Sequence, residues 1–70
     1  MTGPLKRSVK VSGHRTSLSL EPQFWDALQA IARRRKLSLS ALVDEIDRRR
    51  GDVNLSSAVR VYVLDDASRS

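Results

Sequence analysis

The sequence predicts a mostly α-helical protein with one short β-strand per chain, paired with the same strand of a second copy in an intertwined homodimer. Residues 15–20 alternate apolar and polar side chains, which places Leu18 and Leu20 on one face of an extended segment. Two segments with the helical spacing of apolar residues follow. A lone strand has unpaired backbone N–H and C=O groups, and an identical strand from a second chain would satisfy them.

The length and composition indicate one small domain without a metal or cofactor. A chain of 70 residues buries only a small core and is marginally stable alone. It has no cysteine, hence no disulfide and no Cys-based zinc site, and its single histidine, His14, does not form a metal cluster by itself. Oligomerisation is the remaining common way to stabilise a chain of this size.

The charge distribution indicates a polyanionic partner. The net charge is +5. The segment before residue 21 contains no acid, and its four cationic residues are Lys6, Arg7, Lys10 and Arg15. Such an asymmetry favours binding to nucleic acid, with a solvated basic tail as the alternative. No apolar run approaches the roughly 20 residues of a membrane span, so we expect a cytoplasmic protein without a membrane partner.

Residues 1–13 have two interpretations. Val9 and Val11 alternate with polar residues, which predicts a short extra strand over residues 7–11, joined to the main strand by a turn at Ser12 and Gly13. An extended basic arm that becomes ordered only on DNA agrees with the same residues. The sequence alone does not choose between them.

Apolar spacing predicts the helices. The first begins at Pro22, because proline suits the first turn of a helix, and ends near Arg35. The second begins after the N-cap Ser38 and ends before Gly51. The core positions expected from the strand and these two helices are Leu18, Leu20, Phe24, Leu28, Ile31, Leu42, Val43 and Ile46.

Residues 52–70 contain a third predicted element followed by a tail. Asn54 is a good N-cap, which favours a helix from residue 55 and a frayed end from residue 65. The β-branched Val59, Val61 and Val63 would also suit a strand. Helix is the favoured interpretation.

The order strand, helix, tight turn, helix over residues 14–51 resembles the ribbon-helix-helix family, to which the methionine and Arc repressors belong. The resemblance lies in the stretches 15–22 and 36–43 with the apolar Leu28 and Ile31 between them. Four residues depart from the family pattern: Lys36 stands where a glycine is usual, Ala41 where a glutamate is frequent, and Ser17 and Ser19 where longer Asn, Gln, Arg or Lys side chains are frequent.

The resemblance implies a non-enzymatic, sequence-specific binder of double-stranded DNA. In the family, two strands form an antiparallel ribbon that enters the major groove, and the second helix approaches the phosphates with its N-terminus. The residues implied to face the bases are Arg15, Ser17 and Ser19. Those expected at phosphates are Lys6, Arg7, Lys10, His14, Ser38, Leu39 and Ser40. We expect a homodimeric transcriptional repressor, which could form higher assemblies on DNA. One alternative is an antitoxin that binds a toxin protein and autoregulates its operon. A second is a nucleoid or RNA-binding protein without sequence preference.

Overall fold

The computed structural model describes residues 3–69 and contains a β-hairpin followed by three helices. The elements are β1 (Leu5–Val11), β2 (His14–Leu20), α1 (Pro22–Arg34), α2 (Leu39–Arg49) and α3 (Leu55–Arg69). The element after Asn54 is a helix and not a strand, and it continues through the segment expected to fray. No helix among the described residues is long and apolar enough to cross a membrane.

The two strands pair with each other along their whole length. They are antiparallel, with Leu5 opposite Leu20 and Val11 opposite His14. Ser12 and Gly13 form the turn with positive φ angles of 51° and 81°, as in the type I′ turn whose twist matches a hairpin. The expectation that the second strand has no partner within its own chain is therefore wrong. The basic leader is that partner, because burial of its two valines stabilises it as a strand.

The core lies between the inward face of the hairpin and the three helices. Of the eight expected core residues, Phe24 is partly buried and packs against the cluster, and the other seven are buried within a single chain. Val9, Val11, Trp25, Val59 and Val63 are also buried there. Trp25 Nε1 donates to the Leu5 carbonyl oxygen at 3.0 Å, so the one buried indole is satisfied and ties α1 to β1.

Local signals set the helix ends. Ser38 Oγ accepts a hydrogen bond from the Ala41 N–H at 3.0 Å, and Asn54 Oδ1 accepts one from Ser56 N–H at 2.9 Å. Lys36 has a φ of 59° in the turn after α1, the left-handed conformation that favours glycine over a residue with a Cβ atom.

Ion pairs join the helices and the end of the hairpin. Arg34 pairs with Asp66 between α1 and α3, and Arg60 of α3 pairs with Glu21, which precedes α1. Arg35 donates to Glu45 of α2 at 2.6 Å and to the hydroxyl oxygen of Tyr62 at 2.9 Å. These contacts lie at exposed or half-exposed positions, so each contributes little to stability.

Candidate nucleic-acid interface

One face of the hairpin is polar, basic and directed away from the helices. Directly opposed residues of an antiparallel pair point to the same face, and successive residues alternate between faces. Because Val9, Val11, Leu18 and Leu20 face the core, the remaining set faces outward. This outward face consists of three opposed pairs: Lys6–Ser19, Ser8–Ser17 and Lys10–Arg15.

The side chains of the outward face are available to an external ligand. Five of the six are exposed, and Ser19 is half-buried. Within residues 3–69, none of these side chains makes a hydrogen bond or an ion pair. Five arginines of the helical part of the chain instead pair with acids: Arg34, Arg35, Arg48, Arg50 and Arg60. Nine cations and eight acids follow residue 20, so four of the five net positive charges belong to the segment that forms the hairpin.

The pKa shifts of three carboxyl groups also reflect the pairing of acids with arginines of the helical part. The hydrogen bond from Arg60 lowers the pKa of Glu21, and the hydrogen bond from Arg35 lowers that of Glu45. The Arg34 guanidinium likewise lowers the pKa of Asp66. Each of these three carboxylates is charged at neutral pH and neutralises an arginine of α3 or of the end of α1. These carboxylates are therefore not available to the cations of the hairpin.

The start of α2 lies beside the outward face. A shallow groove is lined by Ser8, Val9, Lys10, Gly13, Arg15 and Ser40. Asp44 Oδ1 accepts hydrogen bonds from the N–H of Ser12 at 2.8 Å and from its hydroxyl at 3.0 Å, which holds the hairpin turn against α2. The chain itself thus brings Ser40, an expected phosphate contact, next to Lys10 and Arg15.

The side chains of the other two expected phosphate contacts at the start of α2, Ser38 and Leu39, have structural roles. The Ser38 hydroxyl is the N-cap, and Leu39 is partly buried against the core. The backbone N–H groups of Leu39 and Ser40 have no acceptor in the described part of the chain. These N–H groups, at the positive end of the helix dipole, are suited to an anion.

Two expected phosphate residues lie apart from the outward face. Arg7 is directly opposite Leu18 on the inward side, and its guanidinium carbon lies 5.1 Å from the centroid of the Trp25 ring, a cation–π contact. His14 is opposite Val11, at the turn end of the inward side. Successive residues of the leader alternate between the two faces of the strand, which separates Arg7 from Lys6 and Lys10 and places Ser8 on the outward face. The same alternation in the sequence could have identified Ser8, which was not among the residues expected to contact DNA.

The edge of β2 that faces away from β1 is open over most of its length. In a two-residue hairpin the residues flanking the turn form a hydrogen-bonded pair, and bonded and non-bonded pairs then alternate. The backbone groups of Arg15, Ser17 and Ser19 consequently point away from β1. Among described residues, only the Ser19 carbonyl has a partner at this edge: it accepts from Arg60 Nη2 at 3.4 Å.

The sequence pattern of the family described as Ribbon-helix-helix domain matches residues 4–67, nearly the whole chain. The chain belongs to the ribbon-helix-helix family. No curated protein and no solved structure matches it. Ribbon-helix-helix domains are found in DNA-binding regulators and antitoxins, and they are not enzymes. In this ribbon-helix-helix protein the family match includes β1 and most of α3 as well as the strand and two helices that give the family its name.

Proposed function

We propose that this ribbon-helix-helix protein is a transcriptional repressor that binds specific double-stranded DNA sequences as a homodimer. The observation that carries the proposal is the outward face of the hairpin, with three cations and three serines whose side chains have no partner in the described chain. Arg15 is suited to donate two hydrogen bonds to a guanine, and serine hydroxyls both donate to and accept from base edges. The lysines add affinity through phosphates.

The open edge of β2 supports the dimer. Pairing two copies of this edge would satisfy the outward backbone groups of Arg15, Ser17 and Ser19 and would give an antiparallel ribbon centred near Ser17. Within residues 3–69, only the contact between Arg60 and the Ser19 carbonyl, at 3.4 Å, would have to be shared or released. In this arrangement the apolar core remains within each chain, and the copies meet through main-chain hydrogen bonds.

The N-terminus of α2 is proposed to bind a backbone phosphate. The free N–H groups of Leu39 and Ser40 point in the direction that an anion prefers, and the Ser40 hydroxyl shares a groove with Lys10 and Arg15. A phosphate in this position would fix the hairpin in the groove without adding sequence preference.

Selection of bound sequences from random DNA at moderate salt tests the proposal. We expect enrichment of a motif with two half-sites, bound at least about a thousandfold more tightly than random DNA. Affinity for both DNAs should fall steeply as salt rises. A steep salt dependence without an enriched motif would indicate non-specific binding, and no binding to either DNA would contradict the proposal altogether.

A second candidate function, that of an antitoxin, is favoured by an apolar groove between the end of α2 and α3. The residues lining it include Ile46, Val53, Ala58, Val61 and Tyr62. Val61 is 55% exposed and Leu64 is 64% exposed, so α3 is apolar on its outer side as well as its inner side. If a neighbouring gene encodes a growth-arresting protein, Val61→Asp should abolish neutralisation of that protein while leaving DNA binding intact.

A further inference from the structure

We propose that β1 is a phosphate-contacting strand, in which Lys6 and Lys10 follow the rims of the major groove while β2 faces the bases. The inference rests on the proposed function and adds a second strand to its DNA-binding surface. Its starting point is the register, which places both lysines on the same face as Arg15, Ser17 and Ser19 but one strand further from the open edge.

The width of the sheet supports this assignment. Pairing of two β2 edges gives a four-stranded sheet in which the β2 strands are central and the β1 strands are outermost. Neighbouring strands lie about 4.8 Å apart, so the two outer strands would be separated by about 14 Å. The major groove is about 12 Å wide. The central strands therefore cover the floor of the groove, and the outer strands lie over its phosphate walls.

The side-chain chemistry of the two strands agrees with their positions. Both cations of β1 on the outward face are lysines, whereas the cation of β2 on that face is Arg15. A lysine ammonium is a compact charge on a flexible stem, which suits a phosphate, and the planar fork of arginine suits a base edge. Ser8 lies between the two lysines and has a free hydroxyl to donate to the same line of phosphates.

Arg7 provides the matched comparison within the same strand. It has the same charge and lies between Lys6 and Ser8, but it is on the inward side, over the Trp25 ring. Two of the three cations of β1, Lys6 and Lys10, therefore contact DNA, and the third, Arg7, packs within the fold. A flexible basic arm would use all three alike.

The test compares the salt dependence of DNA binding by the full chain and its variants. For the double variant Lys6→Ala/Lys10→Ala, which removes four cations per dimer, the slope of log affinity against log salt should fall by about 3.5. The ratio of affinities for the selected and random DNA should not change. Arg7→Met, which keeps an apolar stem against Trp25, should retain the wild-type slope.

Three results would overturn the inference. The first is an unchanged salt slope in the double lysine variant, and the second is a change in the DNA sequence that this variant prefers. The third is a decrease in the salt slope of Arg7→Met equal to half the decrease expected for the double lysine variant. A folded wild-type protein that binds no DNA would instead refute the proposed function. The two failures are thus distinguishable, because only the second affects the unsubstituted chain.

Discussion

Asp44 of α2 accepts two hydrogen bonds from Ser12, 32 residues earlier, and so joins the tip of the hairpin to the helix whose N-terminus lies beside it. This contact holds the turn of the hairpin against α2. Asp44→Ala should lower the free energy of unfolding by about 1 kcal/mol, because both Ser12 donors lose their acceptor. Asp44→Asn keeps an acceptor oxygen and should lose less. Urea unfolding measures both variants, and an alanine variant as stable as wild type would contradict the role of this contact.

Arg15 is predicted to discriminate between DNA sequences. Arg15→Ala should reduce the difference in binding free energy between selected and random DNA by about 1–3 kcal/mol, because a bidentate contact with guanine is lost. Arg15→Lys is the matched variant: it keeps the charge but not the fork, so it should recover affinity for random DNA without recovering discrimination. Titration of both DNAs at one salt concentration is the measurement. Equal losses on both DNAs in the alanine variant would show that Arg15 contacts only phosphate.

The opposed Ser8 and Ser17 provide a test of the dimer edge. Neither N–H belongs to the hairpin ladder, and proline at either position removes only a donor that points away from the other strand. Ser17→Pro should weaken dimerisation at least about tenfold through loss of intermolecular hydrogen bonds worth about 1 kcal/mol each. Ser8→Pro should leave the dimer unchanged. Sedimentation of both variants is decisive, and equal dimerisation would exclude the β2 edge as the interface.

Lys36 is predicted to carry backbone strain. Its φ of 59° costs a residue with a Cβ atom roughly 1–2 kcal/mol, and glycine avoids this cost at the expense of some unfolded-state entropy. Lys36→Gly should therefore raise the free energy of unfolding by about 1 kcal/mol. Lys36→Ala removes the charge but retains the strain, so it should leave stability close to the wild-type value. Thermal or urea unfolding compares them, and no gain from glycine would mean that the turn is not strained.

The lowered pKa values of Glu21, Glu45 and Asp66 predict an acid-sensitive fold. A carboxyl group whose pKa is lower in the folded chain than in the unfolded chain stabilises the fold at pH values above its unfolded pKa. This stabilisation is lost as the pH falls through the pKa of the folded chain. The free energy of unfolding should consequently decline as the pH falls below about 4.5, the ordinary pKa of the two glutamates. Urea midpoints between pH 7 and pH 3 measure this decline. Glu45→Gln should flatten it, and an identical pH profile in that variant would contradict the assignment.

Local patterns in the sequence predicted the elements and the candidate site in outline. The spacing of apolar residues identified α1 and α2, and the caps Ser38 and Asn54 marked the starts of two helices. The family resemblance placed Arg15, Ser17 and Ser19 together, and the structure places all three on one strand face. Each of these features depends on residues within a few positions of one another, so a short stretch of sequence is sufficient to reveal it.

The sequence by itself determined the periodicities, the caps and the basic, serine-rich character of the first 20 residues. Only the tertiary structure decided that the leader becomes β1, that Arg7 turns inward over Trp25, and that Arg60 reaches Glu21 across 39 residues. The alternating leader was compatible with a free arm as well as with a strand. The choice depends on whether its valines have an apolar surface to bury against, and that surface exists only when β2 and the helices are assembled.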